Sequence, residues 1–116
     1  MPAQSEGMIP QLVTQAVRMG ADELEVEYKD RHEEVFAGSG GLLFGIARFP
    51  SSSAEATRLR KELSGLQKRK PTITVDGYDY QLRCTVYDSF GEDAFRLELR
   101  SLERRNSSQL RQASRK

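Results

Sequence analysis

The stretch Thr72-Ile73-Thr74-Val75-Asp76-Gly77-Tyr78-Asp79-Tyr80 restricts the fold more than any other part of the chain. Asp-Gly between two alternating runs suits a two-residue type I′ turn, in which both central residues need positive φ. A turn this short leaves the register no freedom. Val75 faces Tyr78, Thr74 faces Asp79 and Ile73 faces Tyr80, so apolar meets apolar and polar meets polar. An antiparallel hairpin over Thr72–Val86 follows, and Phe95, Leu97 and Leu99 define a further strand beyond the polar stretch Asp88–Asp93.

The same periodicities organise the rest. Ile9, Leu12, Val13, Ala16 and Val17 fall on one helical stripe, with Gly20 placed to end it. Leu24, Val26 and Tyr28 alternate with Glu25, Glu27 and Lys29, the pattern of a half-buried strand. Asp30-Arg31 reads as a turn, His32–Ala37 as the return strand and the glycines at 38, 40 and 41 as a loop. Leu42–Phe49 is a third strand, stopped by Pro50. Ser52 and Glu55 have the spacing of a capping box, and Ala56, Leu59, Leu63 and Leu66 continue a helix that Pro71 prevents from extending. The order α-β-β-β-α-β-β-β with short connections predicts an α+β domain: a mostly antiparallel sheet of about six strands with two helices packed on one face. Residues 1–7 read as a flexible leader, 8–102 as the single domain and 103–116 as a basic, disordered tail.

At 116 residues the chain suffices for one modest core. No apolar run approaches the roughly 20 residues that span a bilayer, and the N-terminus has no secretory pattern, so a cytoplasmic location is expected. One cysteine excludes an internal disulfide, and one Cys with one His gives no zinc site of the usual kind, so no metal or other cofactor is expected. The net charge of +1 hides an asymmetry: residues 1–57 carry −5 and residues 58–116 carry +6. That division suits self-association or an acidic partner, and equally two halves folding against each other.

Tyr80–Arg100, YQLRCTVYDSFGEDAFRLELR, resembles the end of the domain preceding the motor in type II secretion and type IV pilus ATPases. That family carries an apolar-Arg-apolar-Ser strand, a short loop, Gly-Glu, and a strand with a further Arg between apolar residues. Leu82-Arg83-Cys84-Thr85, Gly91-Glu92 and Phe95-Arg96-Leu97 stand in that order and spacing. Upstream, Ala21-Asp22-Glu23-Leu24-Glu25-Val26-Glu27-Tyr28 keeps the Ala, acidic, apolar and Glu positions of the family's Ala-Ser-Asp-Ile-His-Ile-Glu-Pro and lacks its Ser, His and Pro. The likeness covers roughly residues 8–102.

The motor half is missing. No G-x-x-x-x-G-K-[ST] occurs, and GSGGLLFG has glycines but neither the Lys nor the helix of a phosphate loop. The resemblance therefore implies an accessory domain standing alone, a non-catalytic interaction or regulatory module working in an oligomer or on a nucleotide-binding partner. In the family, arginines of this domain approach nucleotide held by the motor, and Arg83 and Arg96 stand at the matching positions beside the Glu92 of Gly-Glu. Arginine suits such work because its planar fork binds phosphate bidentately and stays charged. The plainer reading is two outward-facing strand arginines opposed by Glu98 or Asp79.

Other candidates have simpler explanations. His32-Glu33-Glu34 offers acid–base groups, but neighbouring strand residues point to opposite faces. Cys84 shares an apolar face with Leu82 and Val86, as a small hydrophobe would. Asp88, Glu92 and Asp93 lack the spacing of a calcium loop. Arg104, Arg105, Arg111, Arg115 and Lys116 give the alternative function, weak nucleic-acid binding by the basic second half and tail, although no aromatic in that tail stacks bases. The expected partner is a protein, either a motor ATPase or a second copy, with no membrane contact.

Overall fold

The computed structural model describes residues 7–102. Two helices and six strands follow in the expected order: α1 (Met8–Arg18), β1 (Glu23–Lys29), β2 (His32–Ser39), β3 (Leu42–Pro50), α2 (Ala54–Leu66), β4 (Thr72–Val75), β5 (Tyr78–Ser89) and β6 (Glu92–Ser101). The strands form one curled antiparallel sheet in the order β3-β2-β1-β6-β5-β4, an α+β fold. The first and last strands among the described residues thus meet at the sheet centre, Leu24 opposite Leu97 and Val26 opposite Phe95. Both helices lie on one face, against each other and against a core that includes Val13, Val35, Leu59, Leu63, Leu82 and Leu97. The residues expected in the leader up to Glu6 and in the basic tail from Glu103 onward lie outside the described residues.

All four hairpins close with two residues, and every central residue has positive φ: Asp30-Arg31, Gly40-Gly41, Asp76-Gly77 and Phe90-Gly91. This is the type I′ pattern, whose twist matches that of the flanking strands. At Asp76-Gly77 the register is the one the sequence dictates, Val75 opposite Tyr78 and Ile73 opposite Tyr80. Two connections are tighter than expected. Asp88–Asp93 is no loop, because β5 runs to Ser89, β6 starts at Glu92, and only Phe90-Gly91 turns. Gly38 is likewise strand, paired with Leu43, and a Cβ there would sit 1.8 Å from the Leu42 carbonyl oxygen, a close approach only glycine permits.

The helix ends each have a physical cause. Gly20, at φ +83°, closes α1: its N–H bonds the Val17 carbonyl at 3.0 Å, and the next N–H, of Ala21, bonds Ala16 at 2.9 Å. These are the two bonds of a Schellman motif. At its other end α1 borrows a cap, because Gly7 has no side chain to offer. Glu62 of α2 accepts from the Met8 and Ile9 N–H groups at 3.0 and 2.9 Å. The N-cap of α2 corrects the sequence reading. Ser53, not Ser52, is the cap, accepting from the Ala56 N–H at 3.1 Å. The Ser53 N–H and hydroxyl both bond the Pro50 carbonyl, which folds the chain back one residue later than the Ser52–Glu55 pairing needs.

Candidate functional site

With both helices on one face, the other face of the sheet is left uncovered, and alternation decides which side chains stand there. The pairing sets Glu25 of β1 opposite Arg96 of β6 and Arg96 opposite Thr85 of β5, while Glu23 opposes Glu98, and Glu98 opposes Arg83. Glu23, Glu25, Glu27, Arg83, Thr85, Tyr87, Arg96 and Glu98 therefore share this face. At its centre the Arg96 Nε donates to Glu25 at 3.1 Å and lies 3.1 Å from the Glu23 carboxylate. The Tyr87 hydroxyl donates to Glu25 at 2.9 Å, and a Glu27 oxygen lies 3.3 Å from the same hydroxyl. The Arg96 guanidinium also lies over the Tyr87 ring, 5.7 Å from its centroid. Glu25 is only 7% exposed.

The electrostatics follow from this crowding. Burial works to raise the Glu25 carboxyl, but hydrogen bonds with Glu23 and Tyr87 and the nearby Arg96 outweigh it and hold the group below its ordinary value. Glu23 goes the other way, raised by its hydrogen bond with Glu25 and by burial against the pull of Arg96. The Tyr87 hydroxyl is raised strongly, by burial and then by its bond to Glu25. The network is a proton-holding one, in which Tyr87 stays a donor and Glu25 an acceptor.

The sequence-derived sites separate on this scaffold. Arg83 and Arg96 come together as diagonal neighbours, about 7–8 Å apart. Arg96 is held by two carboxylates, whereas Arg83 is exposed and forms no ion pair among the described residues. Lys70 and Arg100 join Arg83 around a shallow depression that reaches Gly40 and Gly41. Glu92 shares the face but pairs with Ser89 at the hairpin end, four residues and roughly 13 Å along β6 from Arg96. No protein-family model matches this chain, and no curated protein matches it either.

The remaining candidates fall on separate surfaces. His32 Nδ1 lies 2.7 Å from the Asp30 carbonyl oxygen at its turn. Glu33 and Glu34 point to opposite faces, the first to Arg60 at 2.9 Å and the second to Arg48 at 3.0 Å. Cys84 is half-buried against the core, its thiol 3.9 Å from the Leu63 carbonyl oxygen and pushed up by burial. Among the described residues no group of three or more His, Cys, Asp or Glu could hold a metal ion, and no helix is long and apolar enough to cross a membrane. Arg104, Arg105, Arg111, Arg115 and Lys116 lie outside the described residues. Sequence reasoning missed Glu25 and Tyr87. The available signal was the i, i+2 row Glu23-Glu25-Glu27, three like charges on one strand face, which requires a cation from a neighbouring strand.

Proposed function

We propose that the chain is a non-catalytic protein-interaction module that acts within an oligomer or on a nucleotide-binding partner, with the uncovered sheet face as its contact surface. One observation carries the reading: Arg83 stands exposed and without an ion pair among the described residues, beside a network that is already satisfied. Glu25, Tyr87 and Arg96 hold one another in place, so they stiffen the face. Arg83, with the equally exposed Arg100 nearby, then has a free fork to offer a carboxylate or phosphate of a partner. The test is affinity capture of the intact protein from its native cytosol beside an Arg83→Ala variant, with mass spectrometry of what is retained. Recovery of a nucleotide-binding protein by the wild type and its loss with Arg83→Ala supports the reading; equal recovery by both removes it.

A second reading has an observation of its own. Lys68, Arg69 and Lys70 follow α2 and line a depression together with Arg83, a positive strip suited to a phosphate backbone. Binding to single-stranded nucleic acid that weakens steeply with added salt favours this reading over the first.

A further inference from the structure

The end of the β5–β6 hairpin and a groove between α1, α2 and β4 are complementary in apolarity and charge, and we infer that a second copy of this chain supplies the hairpin end that enters the groove. The inference extends the reading of the chain as an interaction module but uses surfaces other than Arg83.

The hairpin end is costly on its own in three ways. Phe90 is fully exposed, at 102%, so its ring buries nothing in its own chain. It also sits at φ +52°, in the left-handed region, where a bulky side chain is strained and Asn or Gly is favoured. Asp88 and Asp93 lie directly opposite one another, with Glu92 beside them, and like charges facing across a strand pair repel. An apolar pocket rimmed by cations relieves both the exposure and the repulsion.

The groove has that character. Its volume is about 860 Å³, within the roughly 300–1,000 Å³ of sites that enclose small ligands. Pro10, Leu66, Pro71 and Ile73 give it a half-buried apolar lining. Lys61, Arg69 and Lys70 stand on its rim, exposed and without ion pairs among the described residues. The acidic end thus carries the charge that the basic rim lacks.

The two surfaces cannot meet within one molecule. Leu82 lines the groove, and the seven residues from there to Ser89 are continuous strand, a span of roughly 23 Å. The hairpin also leaves β1 at Val26–Phe95, so Ala94 and the residues beyond project without a strand on that side. Because end and groove are different surfaces, the contact is head-to-tail. A docked pair leaves the groove of one copy and the hairpin end of the other free, which builds a ring or an open chain.

Sedimentation velocity of the full chain, over rising concentration, tests this with two variants. Phe90→Asn removes the ring and leaves Asn-Gly, the preferred type I′ pair, so it should melt no lower than wild type. Lys61→Glu/Arg69→Glu reverses the groove's rim. Wild type is expected to grow beyond a monomer, each variant alone to stay monomeric, and their equimolar mixture to form a dimer, since one competent end then meets one competent groove. Wild type that remains monomeric up to millimolar protein, association that survives Phe90→Asn, or a mixture that stays monomeric overturns the inference. Arg83→Ala is expected to associate like wild type, so failure of the sheet-face reading and failure of this one are separate results.

Discussion

Glu25 carries a charge that the fold has taken almost entirely out of water. Burying a carboxylate is tolerable only when hydrogen bonds replace the lost hydration. Here Tyr87 and Arg96 supply them, and Arg96 is itself half in solvent. Arg96→Ala should therefore cost about 1–3 kcal/mol, less than losing a partner from a fully buried pair. Urea unfolding midpoints measure it. The pH dependence has a definite sign. The folded-state pKa of Glu25 is depressed, so its contribution is complete above the unfolded value and is lost as pH falls through the folded one. Glu23 is raised, so its contribution is present at low pH and lost as pH rises through its folded value. Glu25→Gln should make the acid loss of stability shallower than in wild type. Glu23→Gln, which keeps a donor toward Glu25, should make it steeper. Parallel curves for all three proteins would contradict this assignment of the two carboxyls.

At the scale of elements, each helix start depends on one side chain. Ser53 lies in the extended conformation at the head of α2 and satisfies the Ala56 N–H, while Ser52 is exposed. Ser53→Ala should lose about 1 kcal/mol, and Ser52→Ala should stay within about 0.5 kcal/mol of wild type. A reversed ranking in thermal unfolding would restore the Ser52–Glu55 capping box. The head of α1 instead depends on another element, since Glu62 caps it from α2. A Cβ at Gly7 would lie 2.5 Å from that carboxylate, so Gly7→Ala displaces the cap rather than the backbone and should also cost about 1 kcal/mol.

At the scale of the whole molecule, the acidic first half and basic second half are drawn together by the fold. Of the six ion pairs among the described residues, Arg18–Asp76, Arg60–Glu33 and the two of Arg96, with Glu23 and Glu25, join one half to the other. The main cohesion is apolar. Leu63 is fully buried where α2 crosses the sheet, beside β5, and Leu63→Ala should cost about 2–5 kcal/mol through lost transfer energy and the cavity left behind. A loss under 1 kcal/mol in denaturant unfolding would mean that α2 is held in some other way.

The local structure of this protein is written in short stretches of its sequence. The stripe from Ile9 to Val17 faces the core, Asp76-Gly77 fixes the hairpin register, and the order of elements yields an α+β sheet with helices on one face, because each of these depends on neighbours within a few residues. Alternation also placed Arg83 and Arg96 on one face, since they lie on strands adjacent in the chain. Which distant strands meet is set instead by the packing of the whole domain. Only the pairing of β1 with β6 brings Glu25 to Arg96, seventy-one residues away, and turns a position that alternation assigns to solvent into a nearly buried charge. Only the docking of α2 across α1 supplies the Glu62 cap and opens the groove beside β4. Contacts of such separation depend on how the curled sheet closes, and no short-range periodicity encodes that closure.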